Sequence, residues 1–265
     1  MNAPWNVPSS EAESGATESI LASERPEHLS VVVRLGGPAS DSVVGVAELH
    51  LAQDPEADRL LSESPLALLV GMVLDQQIPL EWAFKGPYEL AQRLGGRLDA
   101  ADIAGLDPDR LAELFAQRPA LHRYPASMAA RVQELCRVVA EECDGDPTRL
   151  WAGARSGQEL LKTIKALPGF GEQKARIFVA LLGKQLGVRP AGWEEAAGTY
   201  GEKGSFRSVA DIVGPDSLVK VRSYKQEMKA AAKAGKAGTA APGADGRAAS
   251  KAGRGGRPAA RAKNS

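Results

Sequence analysis

Gly169 and Gly171, with one residue between them in the run Leu167-Pro168-Gly169-Phe170-Gly171-Glu172-Gln173-Lys174-Ala175, are the residues of this chain best suited to hold an anion. Without a Cβ at either position, the backbone can turn sharply through positive φ and come close to a ligand. A helix that begins just after such a turn presents free N–H groups and the positive end of its dipole, which together attract phosphate. The same glycine spacing also makes an ordinary connection between two helices, so the pattern alone selects neither reading. A second polar constellation, Gln76 and Gln77, closes an apolar stretch at Leu74-Asp75-Gln76-Gln77-Ile78-Pro79, with Trp82, Phe84 and Tyr88 following. Each amide brings two donors and two acceptor sites. Such a pair at a helix junction either caps the helix ends or bonds a polar partner such as an unpaired base.

The elements that must position these groups are helices. Ser156 is an N-cap with Glu159 three residues on, and Leu160, Leu161, Ile164 and Leu167 follow at helical spacing. After the glycines, a helix from about Glu172 to Leu186 places Ala175, Phe178, Val179, Leu182 and Leu186 inward, leaving Lys174, Arg176 and Lys184 nearer solvent. Upstream, Asp54-Pro55 opens a helix to about Leu61, and Ser64-Pro65 opens another through Leu74, apolar enough to lie at the centre of the core. A third helix runs from Pro79 to about Leu94. Asp99 and Asp107-Pro108 cap two short ones, Pro125 to Cys143 forms a longer one, and Asp146-Pro147 begins another. Gly187 to Ser205 lacks periodicity and reads as a surface insertion, after which Pro215 to about Ala234 returns to helix. No stretch alternates with period two for long. The expected architecture is therefore all-α, with one short strand at Val31–Val33.

The 265 residues, 43% of them apolar, suffice for one sizeable core plus tails. Lys and Arg balance Asp and Glu at 33 each, but unevenly along the chain. From Lys220 to Ser265 there are about twelve basic residues against about two acidic ones, an excess that attracts polyanions. The composition divides the chain into an acidic, mostly disordered segment 1–44, a helical domain 45–234 with the hairpin at 167–175, and a disordered basic tail 235–265. Cys136 and Cys143 share a face of one expected helix and suit the core. With only His28, His50 and His122 beside them they match neither a four-cysteine cluster nor a zinc spacing, so no metal or iron–sulfur cofactor is expected. No apolar run is long enough to span a membrane and the first thirty residues lack a secretory h-region, which predicts a cytoplasmic monomer, nucleoid-associated in a prokaryote.

The LPGFG string followed by Ala175 closely resembles the helix-hairpin-helix element of DNA repair proteins. The segment GMVLDQQ, ending at Gln77, is similar to the apolar helix that ends in a QQ or AQ pair upstream of that hairpin in the helix-hairpin-helix (HhH-GPD) superfamily of DNA glycosylases. The resemblance covers roughly residues 50 to 230. It implies a two-part helical fold with a central cleft, double-stranded DNA as partner, and cleavage of the N-glycosidic bond of a flipped, damaged base. It further implies a backbone phosphate held at Gly169, Phe170, Gly171, Gln173 and Lys174, directly or through a monovalent cation, with Gln76 and Gln77 facing the distorted duplex. This chain also departs from the pattern. Where the superfamily carries an aspartate to stabilise the sugar's developing positive charge, Pro190-Ala191-Gly192-Trp193 stands here. Asp211, in Ser208-Val209-Ala210-Asp211-Ile212, is the expected replacement, with Glu194 and Glu195 as alternatives and a plain helix cap as the other reading of Asp211. At the position of the lysine used by strand-cutting members stands Gln173, with Lys174 about 100° further round the helix, so a monofunctional enzyme without lyase activity is implied. The other possibility is a noncatalytic protein that binds DNA or senses damage.

Overall fold

The computed structural model describes residues 48–238. The acidic segment 1–44, the strand expected at Val31–Val33 and nearly all of the expected tail lie outside the described residues. Among the described residues there are eleven α-helices, two short 3-10 turns and no β-strand, so the chain is all-α as expected.

Local chemistry starts most of them. In α1 (Pro55–Glu63) and α2 (Pro65–Leu74), proline occupies the first turn, and the side chains of Asp54 and Ser64 each accept the N–H of the third residue on. Asp99, Asp107 and Ser156 do the same for α4 (Ala100–Gly105), α5 (Pro108–Ala116) and α8 (Gly157–Ala166). Between these lie α3 (Leu80–Arg93), which Pro79 precedes, α6 (Pro125–Glu142) and α7 (Arg149–Ala152). The last starts later than Asp146-Pro147 suggests. The Asp146 carboxylate instead holds the N–H and hydroxyl of Thr148 in a turn before the helix. Then come α9 (Glu172–Gln185), α10 (Trp193–Ala197) and α11 (Pro215–Gly238), which passes the expected boundary at 234.

One continuous core runs from Leu49 to Val221, and α2 lies at its centre with every residue from Leu66 to Leu74 buried. Burial of this kind removes apolar area from water at about 25 cal/mol per Å² and is the main force on the fold. Gly71 and Gly86 let α2 and α3 touch: a Cβ on Gly71 would lie 2.8 Å from the Phe84 ring, and one on Gly86 2.5 Å from Leu74. Cys136 and Cys143 are free and buried, and burial pushes the Cys136 thiol up to about 12.

Gly187 to Ser205 lies at the surface, as expected, but is anchored to α8 and α9 rather than looping out from them. Ala191 bridges to Ser156 and accepts the Gly157 N–H at 2.7 Å, Ala196 and Ala197 are fully buried, and the Trp193 ring lies directly on Gly183. Aperiodic sequence hid this because single residues make the contacts, at points where glycine lets two backbones meet. No helix among the described residues is long and apolar enough to cross a membrane.

Candidate nucleic-acid interface at the start of α9

The turn between α8 and α9 is closed by the Phe170 N–H on the Leu167 carbonyl, 3.0 Å away. Gly169 sits at φ +83°, a left-handed backbone that favours glycine, and a Cβ there would lie in ordinary contact with the Val73 side chain at 3.4 Å. Gly171 does not share that conformation. At φ −81° and ψ 175° it is extended, which any residue adopts, and nothing lies within 4 Å of where its Cβ would be. Without a side chain it leaves bare the surface over the helix start. Having no side chain, Gly171 cannot cap α9, and the N–H groups of Gly171, Glu172, Gln173 and Lys174 meet no backbone acceptor; the first to do so is Ala175, on the Gly171 carbonyl at 2.9 Å.

Phe170 is buried edge-on against Phe178, ring centroids 5.7 Å apart, so its ring anchors the hairpin from below and does not reach a partner. Glu172 is the one acid in the first turn. Lys165 at 2.5 Å and Arg176 at 2.8 Å neutralise it and hold its carboxyl below the usual range.

Lys174 departs from the expected solvent face. Its Nζ donates to the Val73 carbonyl at 3.1 Å, one of the acceptors left unpaired at the C-terminal end of α2, where the helix dipole favours a cation. Burial pushes its pKa down to about 8, with Asp75 opposing and Arg131 adding to the fall. Val73 therefore touches both Gly169 and Lys174. The hairpin and the Gln76-Gln77 loop, remote in sequence, are neighbours in space.

Gln76 is fully engaged. Its Nε2 donates to the Val73 carbonyl at 2.8 Å, its Oε1 accepts from Arg131 at 3.0 Å, and its backbone carbonyl meets His122 Nε2 at 2.8 Å. The Tyr124 N–H donates to Nδ1 of the same buried ring at 3.1 Å, which places the ring proton on Nε2. Gln77 is the contrary case, exposed at φ +59° with a side chain that bonds nothing among the described residues. Positive φ at a non-glycine residue costs on the order of 1–3 kcal/mol and persists only where its surroundings impose it. Arg123, Tyr124 and Arg131 complete this surface, and sequence reasoning missed all three along with the role of His122. The only signal for His122, Arg123 and Tyr124 was the His-Arg-Tyr-Pro run at 122–125, which has no helical period, and Arg131 gave none.

The expected catalytic carboxylate lies elsewhere. Asp211 ends the 3-10 turn Val209–Asp211 in a capping box with Ser208, its side chain 3% exposed. One carboxylate oxygen accepts Lys184 Nζ at 2.5 Å and Ser205 Oγ at 3.2 Å; the other accepts the N–H groups of Arg207 at 2.8 Å and Ser208 at 3.1 Å. Lys184 is near the far end of α9, roughly 18 Å along the axis from Glu172 at 1.5 Å per residue. Asp211 thus closes a turn and binds a lysine remote from the hairpin, and Lys184 is not a solvent-facing cation. Glu194 and Glu195 are exposed on α10, Glu194 standing 3.8 Å from Lys203. Their segment runs back along α9, where Ala196 accepts from Arg176 at 2.9 Å and the Tyr200 hydroxyl accepts from Gln173 at 2.9 Å.

Beside the Gln77 loop, a shallow cleft of about 290 Å³ separates the start of α3 from α11; Ile78, Leu80, Leu218 and Val221 line it, and a Glu81–Arg222 ion pair spans it. Among the described residues no group of three or more His, Cys, Asp or Glu side chains is placed to hold a metal ion. Comparison with family models, curated proteins and solved structures finds no match for this chain.

Proposed function

We propose that this chain is a base-excision-repair type protein that binds duplex DNA, gripping a backbone phosphate at the start of α9 and presenting Gln77 to a distorted stretch of the helix. The observation that carries this reading is the uncapped start of α9, locked through Gly169 and Lys174 to the loop that projects Gln77. Free N–H groups at a helix start bind phosphate without regard to sequence, as a protein that searches DNA requires. The likeness of the LPGFG and DQQ strings to helix-hairpin-helix repair proteins supports the same partner, and with it the two-part fold of that superfamily.

A second reading, a monofunctional DNA glycosylase, is favoured by one specific feature. An exposed amide on a left-handed residue suits the gap that an extruded base leaves, and extrusion serves base removal. With Asp211 engaged elsewhere, Glu194 or Glu195 would have to orient the water. One experiment orders the readings. Fluorescence anisotropy with paired and damaged duplexes across a salt series should give binding that weakens as salt rises. Alkali treatment of the same mixtures, with uracil, alkylated or oxidised bases, then reveals abasic sites. Binding without cleavage supports the first reading, cleavage on any lesion moves the conclusion to the second, and no binding at low salt defeats both.

A further inference from the structure

Past Val221, its last buried residue, α11 carries charge of one sign along one side. Arg222, Lys225 and Lys229 are exposed and fall within about 60° of one another around the axis, at 100° per residue. Lys233 and Lys236 continue the same spacing in the sequence, whereas Asp216 and Glu227 stand on the opposite side of the helix. On other helices exposed basic side chains meet acids three or four residues away, as Arg59 does Glu56, Arg110 does Glu113 and Arg176 does Glu172. Here those places hold like charges. Lys225 and Lys229 are four apart, and among the described residues neither makes an ion pair or a hydrogen bond, while Arg222 answers Glu81 across the cleft. Like charges at that spacing repel and weaken a helix, and nothing within the fold offsets the repulsion.

Two observations select what the stripe meets. The first is its chemistry. Lysines in a line suit a partner charged evenly along its length, and duplex DNA carries a negative charge about every 1.7 Å of its axis. The ammonium is a compact point charge that holds phosphate without reading a base. A helix that lies on a lipid surface shows instead a broad apolar face beside its cations, and past Val221 the one exposed large apolar residue of α11 among the described residues is Met228. The second observation is position. The hairpin meets the α2–α3 loop at Val73, and α11 meets the other end of that loop, where Leu218 and Val221 line the cleft with Ile78 and Leu80. Lys225 lines the same cleft, so the stripe begins at the edge of the surface proposed above. We infer that the Lys225 and Lys229 face of α11 is a second phosphate contact, laid along the backbone of duplex DNA beside the stretch that the hairpin grips. This rests on the DNA-binding reading above and adds a contact that reads no sequence and needs no damage.

The test measures the affinity of the full chain for a fully paired duplex by anisotropy across a salt series. Each phosphate contact contributes about 0.9 to the slope of log affinity against log salt, so Lys225→Gln combined with Lys229→Gln should flatten that slope by about 1.8, with the greatest loss of affinity at low salt. Lys225→Arg combined with Lys229→Arg keeps the charges and should keep the wild-type slope. Lys220→Gln is the control: Lys220 is exposed on the opposite side of α11, 4.5 Å from the Phe206 ring centroid, and its loss should leave the slope unchanged. An unchanged slope in the glutamine double variant, or a slope lowered as much per charge by Lys220→Gln, would overturn the inference while leaving DNA binding intact. Vesicles of phosphatidylcholine and phosphatidylserine that bind wild type and release a double variant whose DNA slope is unaltered would assign the face to lipid and overturn it equally. Absence of wild-type binding to the duplex at low salt overturns the DNA-binding reading itself, and this inference with it. Glutamine matches lysine in helix propensity, so thermal melting of the variants should match wild type and exclude unfolding as the cause.

Discussion

At its C-terminal end α9 is tied off on every side. The Gln185 amide donates to the carbonyls of Ala210 at 2.9 Å and Ile212 at 3.2 Å, Lys184 bonds the Asp211 carboxylate, Arg189 donates to the Gly183 carbonyl at 2.8 Å, and the Val188 N–H closes on Leu182 at 3.0 Å. At its N-terminal end the same helix has a glycine for a cap and bare N–H groups; α1, α2, α4, α5 and α8 each begin on a capping side chain, whereas α3, α6, α7 and α10, like α9, do not. Unpaired polar groups cost stability when they are buried and are tolerated where water or a partner reaches them. The contrast separates two kinds of polar group in one helix: those at the closed end bond within the protein, and those at the open end are left for water or, in the proposed function, a phosphate. Asp211, the carboxylate to which the resemblance points, belongs to the closed end.

The largest effect that tests this division is at Lys184. Lys184→Met leaves the nearly buried Asp211 carboxylate without its cation and should lower stability by about 3 kcal/mol in urea denaturation. DNA affinity of the folded variant should not change. A loss of affinity as great as that caused by hairpin substitutions would erase the distinction between the two ends.

Lys174 gives the next effect, and its sign is fixed by the direction of its shift. Its pKa in the folded protein is about 8, below the ordinary 10.5, so burial of the charge opposes folding wherever both states carry the proton. As pH rises from about 8 towards 10.5, the folded protein releases that proton while the unfolded chain retains it, and stability rises, by roughly 3 kcal/mol at most. Lys174→Met should remove that part of the pH profile. A profile identical to wild type would mean that the lysine is not held against α2.

Smaller still is Gly169→Ala, expected to cost about 1–2 kcal/mol through its positive φ, and to weaken DNA binding by disturbing the turn. Gly171→Ala sharpens the comparison most, because its effect on stability should be only about 0.5 kcal/mol or less. Its added methyl group stands over the bare helix start, so affinity for DNA should fall at nearly constant stability. Unchanged affinity would remove the phosphate from this turn.

Much of the fold was legible because it is local. Asp54-Pro55, Ser64-Pro65 and Asp107-Pro108 each carry cap and proline within two residues, and each starts a helix in the structure. Lys174 was not legible, since helical spacing gives its direction around α9 but not what lies there, and the end of α2 lies there. His122 was hidden for the same reason: both its partners depend on how the α2–α3 loop meets the start of α6. The hairpin itself was read in outline, yet only Gly169 has the left-handed backbone expected of both glycines. For Asp211 the sequence fitted a cap and a catalytic acid equally well, because both place a carboxylate just before a helical turn.

The close approaches along α8 and α9 carry a consequence for how this sequence can vary. A methyl group at Gly157 would strike the Gly192 carbonyl, one at Gly183 would strike the Trp193 ring, and one at Gly201 would come within 2.5 Å of the Glu194 carbonyl oxygen. Relatives that keep this packing must keep those glycines whatever they bind. Gly171 has open space and an unstrained backbone, so nothing in the packing protects it from drift. Persistence of glycine there through divergence would be the mark of a partner.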